Sequence, residues 1–187
     1  KILMDKINRG LEKIETLETE AIELMKAIVP IKALGPINDG EGEKAKADYI
    51  IKYLKSIGFI SIHQYPAHDK DVPGGERPNI VAILEGENTE QTIWILAHLD
   101  VVPAGDLSKW DTDPFNPVVK KGKIYGRGTE DNNQGLVSGI IAAKAMIDLD
   151  IKPNFNFGLM KSTKGALSLN MVWKKTISPP GLSQSFM

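Results

Sequence analysis

The chain has 187 residues, 42% apolar and 25% charged, which suits one globular domain with a real core. Its net charge of −1 supplies no basic field, so nucleic acid is not an expected partner, and the absence of cysteine excludes disulfides and thiolate metal ligands. No apolar run is long enough to cross a bilayer and the charged N-terminal stretch is not a signal peptide, so no membrane partner is expected and the cytoplasm is the expected compartment.

In chain order, apolar residues spaced by three or four predict one long helix over about Asp5 to Ile28, ended by Pro30. A loop with Gly35-Pro36 follows, then a helix from about Glu43 to Ile57 with Ala47, Ile50, Ile51, Leu54 and Ile57 inward and Gly58 as its cap. Phe59 to Tyr65 is a weakly alternating strand. His63 and His68, in it or just after it, read as surface histidines because neither has a carboxylate at useful spacing. Asn79 to Leu84 is a strand, and Thr92 to Ala97 is the next and the most apolar, expected to be the most buried. A hairpin turns around Lys121-Gly122, a helix runs from Asn133 to Asp148, and a strand starts at Asn154. Helices interleaved with strands indicate an α/β fold, a mixed and mostly parallel sheet with helices on both faces.

The apolar strand ends at His98-Leu99-Asp100, and sites in open α/β sheets form beyond the carboxyl ends of strands. Without cysteine, a metal here would take histidine and carboxylate, which suits a hydrolytic zinc. A metal-bound imidazole needs its second nitrogen held, and Asp100, two residues on, can do that. Asp131 is a further carboxylate, between a glycine-rich turn and a helix, where it can bridge two cations. Taken alone, a His-x-Asp after a strand is more often incidental. Gly126-Arg127-Gly128 reads as a tight turn rather than a phosphate cradle, because it lacks the further glycine or the Gly-Lys-Ser/Thr ending.

The combination says more. Ala97-His98-Leu99-Asp100-Val101-Val102-Pro103, then Trp110-x-x-Asp113-Pro114-Phe115-x-Pro117, then Tyr125-Gly126-Arg127-Gly128-x-x-Asp131 closely resembles the di-zinc exopeptidases and deacylases. Acetylornithine deacetylase, succinyl-diaminopimelate desuccinylase, glutamate carboxypeptidase and aminoacylase belong to that group. The match runs over roughly Leu17 to Leu159. It implies the N-terminal part of a zinc-exopeptidase-like catalytic domain, residues 1–160, without the lid and dimerisation domain. His98 resembles the ligand of one zinc, Asp100 the residue orienting it, and Asp131 the carboxylate bridging two zincs. Cobalt is the alternative ion, Arg127 is structural, and the bond from Asp131 to Asn132 is implied to be cis. The implied activity is amide hydrolysis of small peptides or N-acyl amino acids, by a homodimer in the intact family.

One part of the pattern is absent. The family's Glu-Glu pair, which supplies the general base and a further ligand, should come after the strand that starts near Asn154. The chain has no acid after Asp150 and no histidine after His98. Residues 161–187 are therefore expected to be a tail outside the domain. The codons of Asn170 to Lys175, read one nucleotide earlier, permit Lys-Tyr-Gly-Met-Glu-Lys. That string resembles the residues just beyond the pair in relatives, so a slip of reading frame near codon 160 is the expectation. A chain of this sequence is expected to be an inactive fragment; the alternative is a non-catalytic metal-binding or interaction module.

Overall fold

The structure, a computed structural model, describes residues 2–162. The expected tail lies outside the described residues, except that Lys161 and Ser162 extend the last strand.

The first helical stretch is two helices, not one: α1 (Ile2–Thr16) and α2 (Glu18–Ile28). Leu17 leaves helical geometry at φ −96° and ψ 8°, and the Thr16 hydroxyl donates to the Lys13 carbonyl at 2.7 Å. A β-branched residue that bonds back to its own helix weakens the turn at that point. The break separates two kinds of packing. Leu24, Met25 and Ile28 of α2 are buried, whereas Ile7, Leu11 and Ile14 of α1, expected inward, are 44%, 57% and 38% exposed. α3 (Lys44–Ser56) buries Ala47, Ile50, Ile51 and Leu54 as expected. Gly58, at φ +105°, lets Phe59 N–H reach the Leu54 carbonyl and close the helix end. Tyr53 donates to Glu20 at 2.6 Å, tying α3 to α2; burial, with that hydrogen bond, pushes the phenol above its ordinary range.

The strands are β1 (Ser61–Gln64), β2 (Ala67–His68), β3 (Glu76–Arg77), β4 (Ile80–Leu84), β5 (Asn88–His98), β6 (Val118–Lys120), β7 (Lys123–Tyr125) and β8 (Phe155–Ser162). α4 (Gln134–Asp148) precedes β8. The main sheet has the order β1-β4-β8-β5, and β2-β3 and β6-β7 are separate antiparallel pairs. The mixed sheet is as expected. Its parallel share is smaller, since β5-β8 is parallel while β1-β4 and β4-β8 are antiparallel. The crossover through α4 is what allows the one parallel pair. β5, expected from its apolar run to be the most buried strand, lies at the sheet edge among the described residues. Ile93 and Leu96 are 56% and 53% exposed, while Ile80, Val81 and Ala82 of the interior β4 are fully buried.

Alternate residues serve the two faces. Ile80, Ala82, Ala97 and Leu159 join one core with buried residues of α2, α3 and α4. Val81 and Met160 face the other way, with Tyr65, Ile83 and Trp94 against them. The described helices thus bury their apolar stripes on one face, not on both. His63 and His68 are exposed, as expected.

Candidate metal centre

His98 is the last residue of β5, and the chain beyond it is pinned. Leu99 and Val101 are buried, and Val101 N–H donates to the Ala33 carbonyl at 2.9 Å. Alternation therefore turns His98 and Asp100 away from those anchors. His98 Nδ1 stands 2.9 Å from the Asp100 backbone carbonyl and 3.3 Å from Asp100 Oδ1. A carbonyl can only accept, so Nδ1 carries the proton and donates to it. The expected orienting role thus falls first to the main chain of Asp100. Its carboxylate is an electrostatic neighbour, because Oδ1 is buried and, among the described residues, makes no hydrogen bond despite the short separation.

The opposite wall comes from the glycine-rich turn. Gly128 has φ +77°, and a Cβ there would strike Val101. Asn133 N–H returns to the Gly128 carbonyl at 2.9 Å, closing the wide turn Thr129–Asn133. The bond between Asp131 and Asn132 is cis, as the resemblance implies. This turn presents Asp131, whose side chain is 85% exposed, with Oδ1 2.9 Å from His98 Nε2.

That contact has a chemical consequence. With Nδ1 holding the ring proton of a neutral imidazole, Nε2 and the carboxylate would meet as two lone pairs. They are satisfied only if a cation lies between them: a second ring proton or a metal ion. Imidazole nitrogen and carboxylate oxygen are both zinc ligands, so the donor types fit. The set is short in number. Among the described residues no group of three or more His, Asp or Glu gathers to hold an ion.

Arg127 braces the intervening loop, as expected. Its guanidinium stacks 5.2 Å from the Trp110 ring, and Trp110 Nε1 donates to the Ala104 carbonyl at 3.0 Å. Asp113 accepts from Phe115 N–H at 2.9 Å and forms the turn.

Sequence reasoning missed the buried charges behind the site. Glu43 is fully buried and ion-paired to Arg77, whose Nε donates to it at 3.0 Å. Lys46 is 1% exposed, with Nζ 3.5 Å from Asn133 Oδ1. Burial lowers its pKa to about 8, against the charges of Asp100 and Glu43. The signal was in the spacing: Glu43, just before α3, precedes Ala47 by four and Lys46 precedes Ile50 by four, so both line up with the apolar stripe of α3. An apolar groove of about 510 Å³, lined in part by Ile7, Leu11, Met146 and Phe155, includes no residue of this site.

Residues 94–161 match the model of peptidase family M20/M25/M40. An uncharacterized metallohydrolase of Methanocaldococcus jannaschii is 41% identical over 147 residues, 75% of this chain and 35% of that protein. The chain belongs to the M20 family. A succinyl-diaminopimelate desuccinylase of Polynucleobacter necessarius is 31% identical over 132 residues, 67% of this chain and 31% of that M20 relative. A di-peptidase of Saccharomyces cerevisiae superposes with a TM-score of 0.75 over 90% of this chain and 37% of its own, at 24% identity, which shows the shared fold. This M20 chain spans about a third of the length of these relatives.

Proposed function

We propose that the protein is a metal-dependent hydrolase of amide bonds in small peptides or N-acyl amino acids, with His98 and Asp131 as metal ligands. The observation that carries this is the facing pair, Nε2 and Oδ1 at 2.9 Å, with Nδ1 already committed to a carbonyl. His98 would hold one ion and Asp131 would lie between two; zinc suits these ligands, with cobalt the alternative. Bound there, the metal supplies Lewis acidity to a substrate carbonyl and to water. Asp100 keeps the imidazole tautomer that leaves Nε2 free to bind. The family relationship and the relatives named as a metallohydrolase and a desuccinylase support this reading.

The sequence offers no acid after Asp150 to act as the general base that takes the water's proton. The 187-residue chain itself is therefore expected to show negligible hydrolysis of dipeptides and N-acetyl amino acids with added Zn²⁺ or Co²⁺. Robust turnover by the purified chain would show that a base among these residues has been overlooked. The intact mass of the protein made from its native gene tests the reading-frame expectation. A mass well above 20.5 kDa supports a longer product, which should then turn over.

A second reading is a non-catalytic metal-binding or interaction module. The edge of β5, open among the described residues, with Ile93 and Leu96 exposed, favours it. Metal binding without turnover in the native gene product would select it.

A further inference from the structure

We propose that the apolar groove between α1, α4 and the β5–β8 side of the sheet binds a fatty acid, its alkyl chain along the groove and its carboxylate at Lys6 and Lys152.

The stripe of α1 that stays out of the core builds this groove. Ile7, Leu11 and Ile14 line one wall, Met146 of α4 lines another, and Ile93 and Phe157 lie along the sheet side. Ile93 and Phe157 are partners in the parallel register of β5 and β8, so their side chains share one face. Ile7, Leu11 and Ile93 remain exposed. A contiguous apolar surface of this kind marks a binding groove rather than scattered surface residues. Its volume of about 510 Å³ suits a small molecule.

The two ends of the groove differ. α1 runs antiparallel to α4: Lys13 pairs with Asp148, the last residue of α4, at 2.9 Å, while Leu17 lies with Val137 and Ile141 nearer the start of that helix. Ile14 and Ala142 therefore mark one end of the groove. Lys6 is two turns earlier on α1, about 12 Å away along the helix. Lys152 follows the end of α4, so both cations stand at the other end. Among the described residues, no acid lines the groove and neither lysine has an ion-pair partner.

That polarity selects the occupant. A wholly apolar molecule would strip water from the two ammonium groups and put nothing in its place. A peptide would bring amides, and the groove offers few side chains to pair them: the Asn156 amide is already bonded to Gly86 and Thr89. An alkyl chain has no polar atom to satisfy, and a terminal carboxylate supplies the missing counter-charge. The lysine stems can lie on the apolar wall with their ammonium groups turned to that carboxylate.

The test is a calorimetric titration of decanoate into the full 187-residue chain, beside 1-decanol, which has the same chain length and no charge. Decanoate should saturate one site per chain, bind more tightly than 1-decanol, and weaken with added salt. Lys6→Gln combined with Lys152→Gln should weaken decanoate roughly 3–30-fold and leave 1-decanol unchanged. Leu11→Ser, at an exposed position of the wall, should weaken both. If the double variant does not fold, Lys152→Gln, at an exposed side chain, is read in the same way. The proposal is overturned if decanoate fails to saturate, if the two ligands bind equally, or if the lysine variant matches the parent. Sedimentation showing a dimer that Leu11→Ser dissociates and decanoate does not would assign the groove to a second copy, and so overturn it too. The same titration is made on the product of the native gene. A longer product that does not bind decanoate would show the groove filled by its own chain, against the proposal.

Discussion

His98 gives its two ring nitrogens different tasks, and the nearest residues decide which is which. Nδ1 is fixed by the Asp100 carbonyl, so Nε2 is left to a cation shared with Asp131. Asp131→Asn keeps the shape and removes the charge. It should lower zinc affinity at least tenfold with no change in stability by urea titration beyond about 0.5 kcal/mol, because the side chain is mostly exposed. An unchanged zinc isotherm would remove Asp131 from the site. Lys161 raises a different question. It is fully buried in β8, its Nζ has no hydrogen-bond partner among the described residues, and burial lowers its pKa from 10.5 to about 7. The unfolded chain therefore holds this proton more tightly than the folded one. Stability falls as pH drops from about 10.5 toward 7, and the full penalty applies below that. Lys161→Met should raise stability by roughly 3–5 kcal/mol near neutral pH, with the gain fading toward pH 10.5. A gain independent of pH in urea titrations would contradict this. His98 and Asp131 were legible in the sequence because glycines, prolines and a strand end framed them. Lys46 and Lys161 were not, because a lysine reads as solvated until the fold encloses it.

At the scale of elements, the glycine-rich turn sets the site's geometry. Gly128 occupies a left-handed conformation against Val101, so Gly128→Ala meets both backbone strain and a clash. It should cost more than about 1 kcal/mol in urea unfolding, and it should weaken zinc binding by displacing Asp131. Stability equal to the parent would mean that the turn relaxes freely. The hairpin β6-β7 was readable from Lys121-Gly122, and both residues do take positive φ. The helix α3 was readable from its stripe. The break at Leu17 was not, since the apolar spacing runs through it unbroken. Only packing distinguishes α2, on the core, from α1, which is tied to α4 by Lys13 and Asp148 at 2.9 Å. The edge position of β5 was hidden for a related reason: an apolar run reports low polarity, not the number of neighbouring strands.

At the scale of the molecule, the described residues form a mixed α/β sheet whose helices bury one face and whose strand end carries His98 toward Asp131. The family and the fold were legible because several motifs fall in one order along the chain. The sheet's parallel share was not, because strand order depends on pairings between distant segments. The most direct test of the central claim is a calorimetric titration of Zn²⁺ into the metal-stripped chain, the parent beside His98→Ala. The parent should bind zinc between Nε2 and Asp131, and His98→Ala should lose that binding. Identical isotherms for the two proteins would contradict the assignment of His98 as a metal ligand.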